Sequence, residues 1–160
     1  MDDEAFVALA EELQPRLSRI AWGLSGEVEL ARDLVQETLV RAYQHRSRVG
    51  RARSPEAYVR TILLNLWRSQ LRGRRELLTS QVHDAPHRDD LHLERAALLE
   101  ALAGLSNQQR MIVVLRHIDD LPVKQVADLV GCSEQTVTTQ DARALARLRL
   151  RTDLADLLEE

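Results

Sequence analysis

Apolar residues recur every three or four positions along most of the chain, and no segment alternates apolar and polar residues as a half-buried strand does. The first such stripe includes Phe6 and Leu13, is interrupted at Pro15 and continues through Ile20. Because proline lacks an amide hydrogen, Pro15 predicts either a kink or the first turn of a new helix. A further helix is expected over residues 27–44.

Polar and capping residues divide the next part of the chain. Residues 45–53 are polar and basic and include a glycine, which predicts a loop. Ser54, Pro55 and Glu56 then supply a capping hydroxyl, a first-turn proline and an early acid, and together they mark the start of a helix. The apolar positions that follow extend this predicted helix to about Arg72.

Residues 74–90 lose the helical period and carry serine, aspartate, histidine and proline, which predicts a flexible linker. The predicted fold class is therefore all-α, with two small helical domains joined by that linker. Cores this small are marginal alone, so we expect a bound partner to raise their stability. The predicted segments are an N-terminal domain at residues 1–74, a linker at 75–92, a C-terminal domain at 93–152 and a tail at 153–160.

Helical periodicity returns at Leu91, and the first helix of the C-terminal half is expected to end near Gly104. Ser106 and Gln109 have the spacing of a capping box, in which each side chain bonds the backbone amide of the other residue. This motif predicts the start of a helix that runs to about Ile118.

Two more helices follow, and three of their residues have helix-turn-helix spacing. Ala127 is small enough for two helices to cross closely, and Gly131, four residues on, suits a turn that needs positive φ. Val137 lies six residues further on and can fill the core between the helices. An ordinary helical hairpin with a glycine turn is the alternative. The first helix should start at Pro122 and end at Gly131.

The second helix of this pair is expected to be capped by Ser133 and to run to about Arg151. With Val137 turned inward, its N-terminal half exposes a polar face that can enter a DNA major groove. Glu134 and Asp141 oppose a polyanion, so binding by this unit alone should be weak and dependent on salt. The candidate contacts are Gln135, Thr138 and Thr139 for base edges, and Arg143 and Arg147 for phosphates or guanine.

The net charge of −3 hides an uneven distribution. Residues 1–40 carry nine acids and three arginines, residues 41–75 carry ten arginines and one acid, and residues 76–160 carry fifteen acids and nine bases. A run of charge is usually only a solvated face. Ten arginines against the single acid Glu56 instead favour contact with a polyanion.

Composition and motifs exclude several other classes of protein. The single cysteine, Cys132, allows no internal disulfide, and the acidic N-terminus is unlike a signal peptide. No apolar run is long enough to cross a membrane, so we expect a cytoplasmic protein. Catalytic and phosphate-binding motifs are missing, which predicts that the chain is not an enzyme and needs no cofactor. Without partner cysteines, His83, His87 and His92 are not expected to bind a metal.

The motifs of both halves together resemble the extracytoplasmic-function (ECF) sigma factors of bacterial RNA polymerase. Residues 131–137 (GCSEQTV) and 142–149 (ARALARLR) resemble the last helices of that family, and residues 101–110 (ALAGLSNQQR) resemble the opening of the same domain. Residues 31–38 (ARDLVQET) look like its polymerase-binding helix. Residues 55–60 (PEAYVR) resemble the corresponding segment of the SigE-like actinobacterial subgroup.

The resemblance implies a sigma factor that binds core polymerase and directs promoter recognition, promoter melting and initiation. Asp33, Gln36 and Glu37 share one helix face by their spacing, and Arg41 extends it. In the family this face docks on the β′ clamp helices; a solvated face opposite Leu34 is the alternative. The β flap and an anti-sigma factor are further partners that the resemblance implies.

The resemblance also assigns two DNA contacts. The basic band would hold promoter DNA near the −10 element, where the opened state is captured by binding flipped bases, with residues 45–53 as the base pocket. Asn65 followed by Arg72 resembles the promoter-melting helix, although Tyr58 and Trp67 are equally suited to a core. The −10 candidates are Arg51, Arg53, Tyr58, Asn65, Arg68 and Arg72, and the −35 candidates are Gln135, Thr138, Thr139, Arg143 and Arg147.

Three positions depart from the family pattern. The family commonly has a basic residue near Thr138, a non-acidic residue at Asp141 and an acid where this chain has Ser69. These differences bear on promoter sequence and on the strength of the −35 contact rather than on the fold. A stand-alone helix-turn-helix regulator is a competing hypothesis, as is a sigma-like protein that binds polymerase without driving initiation.

Overall fold

Helices are the only regular elements in the described part of the chain, which confirms the all-α prediction. The computed structural model describes residues 1–77 and 93–158, and it divides the chain into two units, Met1–His87 and Arg88–Glu160. Residues 78–92, which contain most of the predicted linker and the three histidines weighed as metal ligands, lie outside the described residues.

The N-terminal unit is built from α1 (Asp3–Ser25), α2 (Val28–Gln44), α3 (Arg46–Arg51) and α4 (Pro55–Leu77). Helix α1 begins where the Asp2 carboxylate accepts a hydrogen bond from the Ala5 amide, 2.7 Å, and it continues through Pro15 as one helix. The chain therefore does not start a new helix at this proline. Helix α2 confirms the element expected over residues 27–44.

The core of the N-terminal unit lies between α1, α2 and α4, which pack against one another. Trp67 is 4% exposed and belongs to this core, which settles the alternative left open from the sequence. Its neighbours are aliphatic side chains that recur at helical spacing on each of the three helices. Fully buried members are Ile20, Leu24, Leu34, Val59, Leu63 and Leu64.

Two predicted boundaries in this unit are wrong. Residues 45–53 are not all loop, because Arg46–Arg51 forms a short helix held by the fully buried side chain of Val49. Helix α4 runs to Leu77 rather than to Arg72. Gly73 alone does not end it, since one glycine costs a helix only about 1 kcal/mol.

The second unit contains α5 (Leu93–Ala103), α6 (Asn107–Val113), a π-helical turn (Val114–Ile118), α7 (Val123–Val130) and α8 (Glu134–Leu158). The predicted capping box is present: Ser106 Oγ accepts from the Gln109 amide, 3.2 Å, and Gln109 Oε1 accepts from the Ser106 amide, 3.4 Å. Helix α8 is longer than expected, since it includes most of the predicted tail.

Helices α7 and α8 form the predicted helix-turn-helix. Gly131 ends α7 with φ 82°, in the left-handed region that favours glycine. Ser133 caps α8 by accepting a hydrogen bond from the Thr136 amide, 3.0 Å. Ala127 and Val137 are buried between the two helices, so all three diagnostic positions have the places that their spacing predicts.

Candidate polymerase and DNA interfaces

The exposed face of α2 carries the residues predicted to bind polymerase. Asp33, Gln36 and Glu37 are all exposed, and Glu37 accepts a hydrogen bond from Arg41 across one helical turn, 2.9 Å. Val40, 56% exposed, lies on the same face, seven residues after Asp33. Val40 was not among the predicted contacts, although an exposed apolar residue outside the buried stripe is a signal for an interface.

Eight of the ten arginines in residues 41–75 fall into two groups. One group is paired with acids: Arg41 with Glu37 at 2.9 Å, Arg46 with Asp3 at 3.4 Å, Arg60 with Glu56 at 3.1 Å and Arg74 with Glu27 at 3.8 Å. The other group is exposed and makes no ion pair within the described residues; its members are Arg48, Arg51, Arg53 and Arg72. The surface available to a polyanion is therefore smaller than the arginine count indicates.

Glu56, the single acid of the basic band, has a structural role. Its carboxylate pairs with Arg60 of its own helix and with Arg16 of α1. Arg60 is only 3% exposed, so its guanidinium belongs to the interior and not to the DNA-facing surface.

A second link between distant helices joins Asp3 to Tyr43, whose hydroxyl donates to the carboxylate at 3.0 Å.

The structure brings the −10 candidates of α4 onto one helical stripe. Tyr58, Asn65 and Arg72 are spaced seven residues apart, which returns them to the same side of a helix, with Arg68 between the last two. Asn65 and Arg72 are exposed, whereas Tyr58 and Arg68 are half-buried. Arg51 and Arg53 are exposed at the end of α3, which packs against α4.

The −35 candidates lie on α8 and differ in how far they are free to contact DNA. Gln135, Thr139 and Arg143 are exposed. Thr138 is also exposed, but its hydroxyl donates to the Glu134 carbonyl oxygen at 3.1 Å. The guanidinium of Arg147 donates to Gln109 Oε1 at 3.3 Å, so this side chain also ties α8 to α6.

Gln109 fixes the position of α8 from its place at the start of α6. Besides its capping bonds it donates from Nε2 to Gln140 Oε1, 3.0 Å, and accepts from Arg147. One buried amide therefore holds two points of α8, seven residues apart. The sequence identified Gln109 only as a cap.

On the next position of the same helix, burial lowers the pKa of Arg110, which remains protonated at neutral pH.

Asp141, which was expected to oppose a polyanion, is hydrogen-bonded and largely buried. His117 Nε2, in the π-helical turn, lies 2.9 and 3.1 Å from its two oxygens, and the Asp141 side chain is 14% exposed. Since a carboxylate only accepts hydrogen bonds, the imidazole nitrogen is the donor. No local pattern could have identified this pair, because its members are 24 residues apart.

No helix in the described part of the chain is long and apolar enough to cross a membrane. Within the same residues, no three histidine, cysteine, aspartate or glutamate side chains are grouped as a metal site requires.

Comparisons with known proteins account for both units. Residues 9–76 match sigma-70 region 2, and residues 95–148 match sigma-70 region 4. The RNA polymerase sigma-E factor of Streptomyces antibioticus is 34% identical over 156 residues, which cover 95% of this chain and 87% of that protein. The sigma-E factor of Streptomyces coelicolor is 34% identical over 148 residues, 90% of this chain and 84% of that protein.

Solved structures of similar fold support the same family. The sigma factor RpoE, crystallised with the anti-sigma factor NepR from Bartonella quintana, has a TM-score of 0.77 at 29% identity and covers 91% of this chain and 97% of its own. CnrH, in complex with the cytosolic domain of CnrY, has a TM-score of 0.73 at 24% identity over 96% and 90% of the two chains, which supports the fold alone.

The chain therefore belongs to the sigma-70 family, whose members bind core RNA polymerase and promoter DNA to initiate transcription and are not enzymes. The predicted SigE-like actinobacterial subgroup within the ECF sigma factors is confirmed by the Streptomyces relatives. A region 2 match in the N-terminal half contradicts the stand-alone regulator hypothesis, since such a regulator has no polymerase-binding domain.

Proposed function

We propose a division of labour among three surfaces of this sigma factor. The acidic face of α2 binds the β′ clamp helices, the basic side of α3 and α4 holds the −10 element, and α8 binds the −35 element. The observation that carries this proposal is the separation of an exposed acidic face from unpaired arginines within one small unit. The segments we assign to these tasks are residues 1–77 for region 2 and residues 93–158 for region 4, joined by residues 78–92.

The −10 assignment rests on the stripe formed by Tyr58, Asn65, Arg68 and Arg72. Strand opening without ATP needs a surface that binds unstacked bases better than duplex, because unstacking costs a few kcal/mol. An amide, an aromatic ring and guanidinium groups on one face supply hydrogen bonds, a stacking partner and charge for a single strand. Arg51 and Arg53 add positive charge at the end of α3.

Replacing Arg72 by alanine should lower open-complex formation about tenfold, because one exposed guanidinium that contacts the strand is lost. Affinity for core polymerase should change less than about twofold, since Arg72 lies on α4 and not on the α2 face. Permanganate reactivity of unpaired thymines and binding of labelled core measure the two quantities.

The matched control is Arg19→Ala, which removes an exposed arginine from α1 and should leave both quantities unchanged. Equal losses of core binding and promoter opening in Arg72→Ala would contradict the −10 assignment and indicate a role in folding.

The −35 assignment rests on the exposed polar groups of α8. Gln135 and Thr139 can bond base edges in the major groove, and Arg143 can bond guanine or phosphate. With few charges and exposed Glu134 nearby, α8 should bind weakly alone and act through its tether to polymerase, which raises its effective concentration at the promoter. Region 4 would contact the β flap, and the protein would act in the cytoplasm, where polymerase operates.

An anti-sigma factor is the further partner we propose, because the structurally similar sigma factor RpoE was solved in complex with the anti-sigma factor NepR. Tagged protein recovered from growing cells should carry a second protein that, once purified, blocks binding to core polymerase. Recovery with core polymerase alone, in both growing and stressed cells, would contradict this proposal.

A further inference from the structure

The pair formed by His117 and Asp141 joins the π-helical turn to the DNA-binding helix α8. Both carboxylate oxygens lie within hydrogen-bonding distance of His117 Nε2, at 2.9 and 3.1 Å. The contact leaves Asp141 14% exposed while His117 is 41% exposed. The imidazole therefore binds both oxygens of a largely buried carboxylate that α8 carries next to its DNA-facing surface.

The position of Asp141 around the axis of α8 explains why this charge matters. Successive residues of a helix are about 100° apart, so Gln140 and Asp141 lie on opposite sides of the stripe that buries Val137 and Ala144. Gln140 is bonded to Gln109 on one side, and Asp141 to His117 on the other. Asp141 is the one next to the candidate base contacts, because it lies one turn from Thr138.

A carboxylate in this place would oppose promoter DNA if it were released. One helical turn is about 5 Å, which is shorter than the Debye length of about 10 Å at 0.1 M salt, so phosphates near Thr138 would be repelled. A hydrogen bond from His117 keeps the carboxylate turned toward the π-helical turn and away from the DNA-facing surface.

We propose that His117 is a positioning residue for promoter binding, which acts by holding and shielding the Asp141 carboxylate beside the DNA-facing surface of α8. The proposal rests on the proposed −35 role of α8. It makes the effect of removing His117 depend on the negative charge of Asp141, whereas a purely mechanical link between the helices would depend on the hydrogen bond itself.

The test compares four full-length proteins reconstituted with actinobacterial core polymerase: wild type, His117→Ala, Asp141→Asn and the double variant. The probe is a promoter duplex selected from a randomised pool by the wild-type holoenzyme. His117→Ala should raise the Kd about fivefold, and Asp141→Asn should lower it about twofold. The double variant should bind within about twofold of Asp141→Asn, because no carboxylate remains to be held.

The salt dependence of the binding defect is a second measurement, and a purely mechanical role of His117 would leave it unchanged. The defect of His117→Ala should shrink at 0.4 M salt, where the Debye length falls to about 5 Å. Thermal unfolding of each variant, followed by circular dichroism, shows whether α8 remains folded. The proposal is overturned if the double variant binds as weakly as His117→Ala, if Asp141→Asn is itself defective, or if His117→Ala binds like wild type.

Arg143→Ala separates this inference from the function on which it rests. If Arg143→Ala is defective and His117→Ala is not, the −35 assignment stands and the inference fails. If Arg143→Ala binds the selected promoter like wild type, the −35 assignment of α8 is contradicted, and the role of His117 fails with it.

Discussion

Replacing Asp33 and Gln36 together by alanine is expected to weaken binding to core polymerase about a hundredfold, equivalent to about 3 kcal/mol. Both side chains are exposed on α2, one turn apart, and Val40, an exposed apolar side chain suited to an interface, lies on the same face one turn after Gln36. Loss of the charge should slow association, and loss of the amide should speed dissociation.

The chain offers a matched control for this experiment. Glu11 and Gln14 on α1 are an exposed acid and an exposed amide with the same three-residue spacing. Glu11→Ala with Gln14→Ala removes the same charge and the same functional groups from another helix of the same unit. Fluorescence anisotropy of labelled sigma factor, titrated with core polymerase, measures the affinity of both double variants. Unchanged affinity in the α2 variant, or equal losses in the two, would remove the docking assignment.

The second large effect is expected on stability. Glu56→Gln should lower the free energy of unfolding of the N-terminal unit by about 2 kcal/mol, less than for a fully buried ion pair because the Glu56 side chain is 35% exposed. The neutral amide no longer balances the buried guanidinium of Arg60, and it loses the charge that binds Arg16 of α1.

Tryptophan fluorescence during urea unfolding measures this prediction selectively, because the two tryptophans of the chain, Trp22 and Trp67, both belong to the N-terminal unit. The control is Glu29→Gln, which removes an exposed acid that makes no ion pair among the described residues. An unfolding midpoint for Glu56→Gln that equals that of Glu29→Gln would show that the two arginine contacts contribute nothing to stability.

The helix-turn-helix could be predicted because its determinants are local. Ala127, Gly131 and Val137 lie within eleven residues, and each has a steric requirement that its residue type reveals: a small side chain, a positive φ and a buried apolar group. The same is true of the capping box, whose two residues are three positions apart. Interactions between residues so close in the chain can be predicted from the sequence alone.

Helix α3 could not be predicted for the opposite reason. Six residues with one buried apolar side chain, Val49, show no periodicity, and a helix this short is stable only through packing against the rest of the unit. The partners of the arginines were hidden in the same way, because Asp3 and Glu27 lie far along the chain from Arg46 and Arg74. The separation of Asp141 from His117 likewise exceeds any local pattern.

The pairing of arginines with acids has a consequence for how this protein responds to ionic strength. Each phosphate contact made by a cationic side chain releases bound counterions and steepens the fall of DNA affinity with salt by about 0.9 in a double-logarithmic plot. Ten such contacts with duplex DNA would give a slope near −9, whereas contacts from Arg48, Arg51, Arg53 and Arg72 alone would give about −4. Promoter complexes formed through this surface should therefore tolerate changes in cellular potassium far better than the arginine content implies.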